Sequence, residues 1–169
     1  KTLTVTYNYT QNELRALLTV GSQSSQNQSH QLQYTHLLKK VWLFNFGTKI
    51  NQTGLTSENY ESKNFKVEGY QINPKISYLF SKNASWDIFY EYQNKENRQG
   101  NLETLSQQRF GTSFTYAGEK KITANGEFSL YQNTFEGDAS QPVAFQMLEG
   151  LRPGRNLTWR LLLQKNLTH

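Results

Sequence analysis

The sequence predicts an all-β protein built as an antiparallel up-and-down meander, either a transmembrane β-barrel or a segment of a larger one. Three observations support this prediction. Apolar and polar side chains alternate along most of the chain, long polar loops alternate with short turns, and aromatic residues crowd the ends of the predicted strands. Alternation with a period of two places apolar side chains on one face of a strand and polar side chains on the other.

The alternation is clearest between residues 81 and 117, on both sides of a polar loop at 94–103. Even positions there are mostly apolar or aromatic and odd positions are mostly polar, with Phe89 as an exception. Two amphipathic strands joined by a loop explain this pattern. The residues at the even positions are Trp86, Ile88, Tyr90, Tyr92, Phe110, Thr112, Phe114 and Tyr116.

Composition limits the possible classes of protein. A chain of 169 residues suits one domain, and with 36% hydrophobic residues and a mean hydropathy of -0.75 it is too polar for helical membrane spans. The absence of cysteine excludes a disulfide framework and thiolate metal sites. The 18 Lys and Arg residues are interleaved with 13 acidic residues, so the net charge of +5 predicts no nucleic-acid partner.

In the first part of the chain, alternation predicts strands over 3–9 and 14–20 joined by a tight turn at Gln11 and Asn12. The run from Gly21 to His30 contains no apolar residue and is predicted to be a solvated loop. Strands over 32–36 and 42–50 follow, with a turn at 38–40. We therefore expect two hairpins separated by a long loop.

A second long polar loop is predicted at about 51–64, followed by a strand that reaches Phe80. Phe65 and Val67 are out of step with the later apolar positions, which predicts a bulge or bend near Gly69. Pro74 fits a strand only where its nitrogen is not needed for pairing. Short turns at 81–84 and 118–120 and a strand over 122–130 complete this part of the meander.

The region 133–155 alternates poorly, and two similar turns predict its position. Ser81–Trp86 and Gln164–His169 share a Lys-Asn core. If both turns lie on the same side of a membrane, an even number of strands separates them, so 133–155 cannot contribute a spanning strand. We therefore predict an extracellular excursion over 133–155 and about nine spanning strands in a single segment, 1–169. Because single-chain bacterial barrels close with even numbers, further strands of the same barrel are expected as partners.

The run from Pro142 to Trp159, followed by Lys165 to His169, resembles the region near the C-terminus of large outer-membrane β-barrel proteins of Bacteroidota, which are mostly uncharacterised. The resemblance implies a bacterial outer-membrane location and a porin-like fold rather than a particular activity. Short periplasmic turns and longer extracellular loops are typical of such barrels. Outer-membrane lipid is the partner that this interpretation implies, and the expected function is a scaffold or a passage.

Hairpin register predicts a ladder of charges on the inner face of the barrel. A turn about Asn83 would place Lys75 opposite Glu91, a loop centred near Gly100 would place Glu91 opposite Arg109, and a turn at Gly118 would place Arg109 opposite Glu127. The same register opposes Tyr78 to Ile88 and Phe80 to Trp86. The open alternative is that these charges line a wet channel without pairing. The predicted lumenal ladder is Lys75, Glu91, Arg109 and Glu127.

Aromatic residues near strand ends are expected to lie at the membrane interface, where amphipathic rings are favoured. The alternative is a secreted soluble β-sandwich that binds a ligand such as carbohydrate, with its tryptophans as stacking surfaces. Residues 148–154 also resemble a turn of fibronectin type III domains, although Leu157 stands where a tyrosine is expected. The predicted interface aromatics are Trp42, Tyr78, Trp86, Tyr116 and Trp159.

No catalytic constellation is predicted. His30, His36 and His169 show no spacing typical of metal ligands, and no serine lies in a Gly-x-Ser-x-Gly motif. We therefore predict neither a catalytic residue nor a cofactor.

Overall fold

The structure is a computed structural model that describes residues 2–19, 21–100, 102–118 and 122–165. Within these ranges the chain forms one sheet of eight antiparallel strands whose order in space is their order in sequence. The predicted all-β meander is therefore confirmed. Its strands are β1 (Thr2–Leu18), β2 (Gly21–Leu38), β3 (Trp42–Ser57), β4 (Phe65–Ser81), β5 (Ala84–Asn97), β6 (Thr104–Ala117), β7 (Ile122–Glu136) and β8 (Gly154–Lys165).

Two short helical segments interrupt the meander. A single 3₁₀ turn (Glu61–Lys63) lies between β3 and β4, and a short helix, α1 (Pro142–Leu148), lies between β7 and β8. Within the described ranges, no helix has the length and apolar character needed to cross a membrane. Each strand pairs with its neighbours in sequence, and the described sheet is not closed into a barrel.

The predicted turn at Gln11 and Asn12 is wrong, because β1 continues through both residues. Gln11 pairs with Gln28 and Asn12 pairs with Asn27 in an unbroken register with β2. The predicted loop over 21–30 is therefore also strand, and the described chain has eight strands rather than about nine. Backbone hydrogen bonds form the ladder whatever the side chains, so polar residues on both faces remove the alternation without ending the strand.

The predicted bulge near Gly69 is also wrong. The register of β4 with β3 runs without a shift from Phe65 to Tyr78, and Gly69 pairs with Asn51. Phe65 and Val67 simply lie on the opposite face from Tyr70 and are buried there. The break in alternation at Phe65 and Val67 therefore marks the part of the polar face that α1 covers. A register shift does occur in the pairing of β4 with β5, but at Leu79 and Ser81.

The two faces of the sheet have opposite character. Even-numbered positions from β3 to β7 form an apolar face, on which large hydrophobic side chains remain exposed. Odd-numbered positions form a polar face that carries amides, hydroxyls and charges. The best exposed examples on the apolar face, by relative accessibility, include Ile50 at 60%, Phe80 at 56%, Phe110 at 54% and Leu130 at 48%.

The only cluster of buried hydrophobic side chains in the described ranges lies at one end of the polar face. It joins residues of β4 and β6 to one side of α1. This cluster is smaller than the core that a soluble domain of this length buries. The cluster consists of Phe65, Val67, Leu105, Val143, Met147 and Leu148.

Candidate functional site

The polar face lines a half-open cavity of about 540 Å³, which we call the central cavity. Its walls come from β2 through β7, so the sheet must curl toward its polar face. Amide side chains and charged groups form most of the lining. The lining residues are Gln31, Gln33, Leu43, Asn45, Gly47, Asn73, Lys75, Asp87, Phe89, Glu91, Arg109, Ser113 and Glu127.

Arg109 lies at the centre of this lining. It is directly opposite Glu91 on β5, as the predicted ladder requires, and its Nη1 is 3.9 Å from Glu91 Oε2. On β7 its backbone partner is Tyr131, not Glu127. The guanidinium nevertheless reaches along the sheet, and its Nη2 donates to Glu127 Oε1 at 2.5 Å. The pair forms because the long Arg109 side chain reaches Glu127, which lies four residues along β7 from its direct partner, Tyr131.

Lys75 does not take the partner that the sequence predicts. The register opposes it to Phe89, because the turn at Lys82 and Asn83 has two residues and the pairing of β4 with β5 shifts by one residue between Ser81 and Leu79. Lys75 Nζ lies 3.5 Å from Asp87 Oδ2. The same register opposes Tyr78 to Trp86, so the predicted pairings of Tyr78 with Ile88 and of Phe80 with Trp86 are wrong as well. The alternation could have suggested Asp87 as a partner of Lys75, because Asp87 lies on the polar face two residues before Phe89.

The charges of the central cavity lie in opposite-sign pairs. Arg160 adds a further contact, with its Nη2 at 3.7 Å from Glu127 Oε2. The lining itself holds two cations, Lys75 and Arg109, and three anions, Asp87, Glu91 and Glu127, while Arg160 approaches Glu127 from outside the lining. Each of these charges thus has a partner of opposite sign within 4 Å, and the lining carries one more acidic than basic residue.

Phe89 is the exception to the alternation, and the structure explains it. Its ring lies on the polar face over Gly111, its partner on β6. The Arg109 guanidinium carbon lies 4.7 Å from the centre of the same ring. The arrangement stacks an arginine on an aromatic face and uses the absence of a side chain at Gly111 to make room.

The predicted interface aromatics lie on the apolar face. Trp42 pairs with Tyr78, and Tyr78 pairs with Trp86, so three of the five form one row across β3, β4 and β5. The rings of Trp42 and Tyr78 are 4.7 Å apart. Tyr116 lies nearer the short turns, opposite Ala84, whereas Trp159 lies farther from them, opposite Phe128. The five residues therefore form a zone rather than a single row.

A second feature of the polar face was missed in the sequence. Lys95 on β5 is almost completely buried, and its Nζ donates to the Met147 carbonyl at 2.9 Å and to Glu149 Oε1 at 2.5 Å. Both partners belong to the end of α1. Lys95 fell within the predicted loop 94–103, and the structure instead places it in the strand, facing α1.

α1 packs on the polar face by one side only. Val143, Ala144, Met147 and Leu148 are buried, whereas Phe145 is 72% exposed on the other side. This spacing is that of an amphipathic helix. The excursion predicted over 133–155 is thus shorter than expected, since β7 ends at Glu136 and β8 begins at Gly154. As predicted, it adds no further strand to the sheet.

Hydrogen bonds around Asp138 shape the connection from β7 to α1. Its carboxylate accepts from Ser140 Oγ at 2.7 Å, from Ser140 N at 2.9 Å and from Gln141 Nε2 at 3.3 Å. The bond from the Ser140 hydroxyl, followed by that from its amide, lowers the pKa of Asp138 below its ordinary value. The turn before α1 is therefore organised by an ionised carboxylate.

Comparison with known proteins adds no assignment: no family model, no curated protein and no solved structure matches the chain. In the described ranges, no group of three or more acidic or histidine side chains is placed to hold a metal ion.

Proposed function

We propose that this chain forms part of the wall of a β-barrel in a bacterial outer membrane. In this arrangement the apolar face contacts lipid and the polar face lines a passage or the interior of a scaffold. The observation that carries the proposal is the inverted burial of the sheet: its large hydrophobic side chains are exposed and its polar side chains face the central cavity. Contiguous apolar surface of this extent is rare on soluble monomers.

The height of the apolar face supports the proposal. On β4 it extends from Tyr70 to Phe80, beyond which the same face carries Glu68 and Lys66. Such a span agrees with the ~9–11 residues that a tilted strand needs to cross a bilayer. Polar residues then mark where each strand leaves the apolar layer.

The outer strands have partners in this proposal. β1 and β8 each pair on one side only within the described sheet, and an open edge carrying apolar side chains invites association with other strands. Further strands of the same barrel would satisfy these edges in the lipid layer, where unpaired backbone groups are costly. The sequence resemblance to large outer-membrane barrels of Bacteroidota points to the same arrangement.

One observation favours a second function, a secreted carbohydrate-binding module. Trp42, Trp86 and Trp159 are exposed by 40%, 45% and 73% on one face, as stacking platforms would be. Their neighbours on that face are aliphatic and aromatic rather than the amides and carboxylates that hold sugar hydroxyls. The membrane proposal explains these neighbours, and the binding module does not.

Behaviour in buffer separates the two functions. A barrel wall should be monodisperse only in detergent or lipid, because its apolar face needs an apolar environment. A soluble module should be monodisperse in buffer alone and should retain its near-ultraviolet circular dichroism there. Monodisperse, folded protein in the absence of detergent would contradict the membrane proposal.

Cysteine labelling tests the location. The chain has no cysteine of its own, so single replacements report without background. Ala139→Cys, in the exposed connection before α1, should react with a bulky impermeant maleimide on intact bacterial cells. Lys82→Cys, at the turn between β4 and β5, should react only after the cells are broken. Equal labelling of both on intact cells would contradict the proposed orientation.

A further inference from the structure

We propose that α1 is the constriction of the passage and that Lys95 is the residue that positions it. This inference rests on the proposed function and adds the element that limits the size of a passing solute. α1 packs against the polar face of the sheet and does not extend away from it.

The contacts of α1 place it at the end of the sheet where the longer loops lie. Val67 and Leu105, which it covers, belong to the beginning of β4 and of β6. The central cavity begins farther along the same face, where Glu91 and Arg109 face each other. A solute arriving from the side of the longer loops therefore meets α1 before it reaches the cavity.

The attachment of α1 combines apolar packing with one buried cation. The side chain of Lys95 is 6% exposed, and the side chain of Glu149 is 66% exposed. Glu149 takes the left-handed conformation, with φ of 54°, at the end of the helix. That conformation is uncommon outside glycine and asparagine, and here it accompanies a carboxylate that meets the buried ammonium group.

The free side of α1 presents Phe145 away from the sheet, whereas Gln146 borders a smaller pocket between α1 and the polar face that Lys49 and Lys95 also line. In a closed wall the Phe145 side chain would project toward the opposite strands and narrow the opening. Because the helix is held by side-chain contacts and by no strand pairing, it can detach while the sheet stays intact. The size of the opening thus depends on α1, whereas the sheet that supports α1 can keep its structure when the helix detaches.

A cysteine beyond α1 measures the opening directly. Ser113→Cys replaces a residue of the central cavity with one of similar shape. On intact cells, we expect a small charged maleimide to label this cysteine and polyethylene-glycol maleimides above a limiting size to be excluded. Adding Lys95→Met should raise that limit, and it should increase amide hydrogen exchange in residues 142–149 by roughly ten-fold.

Matched variants control for general damage. Lys66→Met removes a cation near the same end of β4 whose partner, Glu68, is 3.1 Å away at the surface, and it should leave both readouts unchanged. Glu149→Gln removes the same ion pair at an exposed residue, so it should also free α1 from the sheet if Lys95→Met fails to fold. Agreement between Lys95→Met and Glu149→Gln would attribute the wider opening to α1.

The outcomes distinguish this inference from the proposed function. Equal labelling of Ser113→Cys by large and small reagents in the unmodified background would show that α1 constricts nothing, and unchanged exchange in both release variants would reject Lys95 as its anchor. If exchange rises while the size limit stays the same, the constriction is also rejected. Failure of even the small reagent to label Ser113→Cys in every variant, while Ala139→Cys reacts, would instead contradict the passage itself.

Discussion

The ring of Phe89 lies over Gly111, so that a Cβ atom added at Gly111 would come within 2.3 Å of the ring and within 2.9 Å of the Phe128 carbonyl oxygen. Gly111→Ala should therefore destabilise the sheet, by about 1–3 kcal/mol, as overpacking does in other well-packed sites. Urea unfolding in detergent micelles, followed by tryptophan fluorescence, would measure this change.

Gly54 provides the matched control for Gly111, since its added Cβ would meet only the Phe65 carbonyl oxygen at 3.7 Å. Gly54→Ala should be neutral or stabilising, because alanine lowers the entropy of the unfolded chain. Combining Gly111→Ala with Phe89→Leu should recover part of the loss. If Gly111→Ala were as well tolerated as Gly54→Ala, the close contact with Phe89 would be wrong.

The orientation of the two faces predicts that arginine is tolerated at one residue of β3 and not at its neighbour. Phe46 is 45% exposed on the apolar face, and Asn45 lies on the polar face. Phe46→Arg should cost about 2–4 kcal/mol when the strand lies in a bilayer, because a charge then faces lipid near the midplane. Asn45→Arg should insert nearly normally. Insertion into vesicles measured by protease protection would reveal an inverted assignment if Asn45→Arg were the damaging change.

The central ion pairs predict unequal couplings. Arg109 should couple more strongly to Glu127, at 2.5 Å, than to Glu91, at 3.9 Å. Double-mutant cycles with glutamine replacements should give coupling energies within about 0.5–3 kcal/mol for contacting pairs. Lys75 and Glu91 should act additively within about 0.3–0.5 kcal/mol. A large coupling between Lys75 and Glu91 would contradict the observed register of β4 with β5 and support the one predicted from the sequence.

The turn between β2 and β3 predicts a stabilising change. Lys39 and Lys40 both adopt positive φ, at 51° and 62°, as the two central residues of the turn from Leu38 to Val41. Glycine adopts such a conformation without the steric cost that lysine meets. Lys40→Gly should raise the free energy of unfolding by about 0.5–1 kcal/mol. Lys40→Ala removes the same charge without relieving the backbone and should give no gain in the same urea titration.

The loop after β3 predicts a pH dependence. Glu58 accepts a hydrogen bond from the Ser22 amide at 2.8 Å, and this bond lowers the pKa of Glu58 below its ordinary value of 4.5. A group with a depressed pKa stabilises the fold above its unfolded pKa and loses this effect as pH falls through the folded value. The Ser22 amide resonance should therefore shift below pH 4.5, and Glu58→Gln should abolish that titration. A midpoint above 4.5 would contradict the assignment.

Alternation in the sequence was sufficient to predict the meander, the facing of the strands and the pairing of Glu91 with Arg109. It failed where both faces are polar, because Gln11 and Gln28 pair through the backbone without leaving a pattern in the side chains. The partner of Lys75 depended on the turn between β4 and β5 and on the register shift beside it, which together moved the pairing by two residues and brought Lys75 to Asp87. Lys95 and α1 were missed because their contact joins segments distant in sequence, which periodicity does not report.

The strict neighbour-to-neighbour order of the strands also affects how the molecule can be made. Each ladder joins segments that are consecutive in the chain, so a newly formed hairpin can serve as the template for the next strand. Local pairings of this kind close short loops and avoid the slow search that distant partners require. Assembly can thus advance from either end by successive additions, and α1 can dock only after β4, β5 and β6, which supply its contacts, are in place.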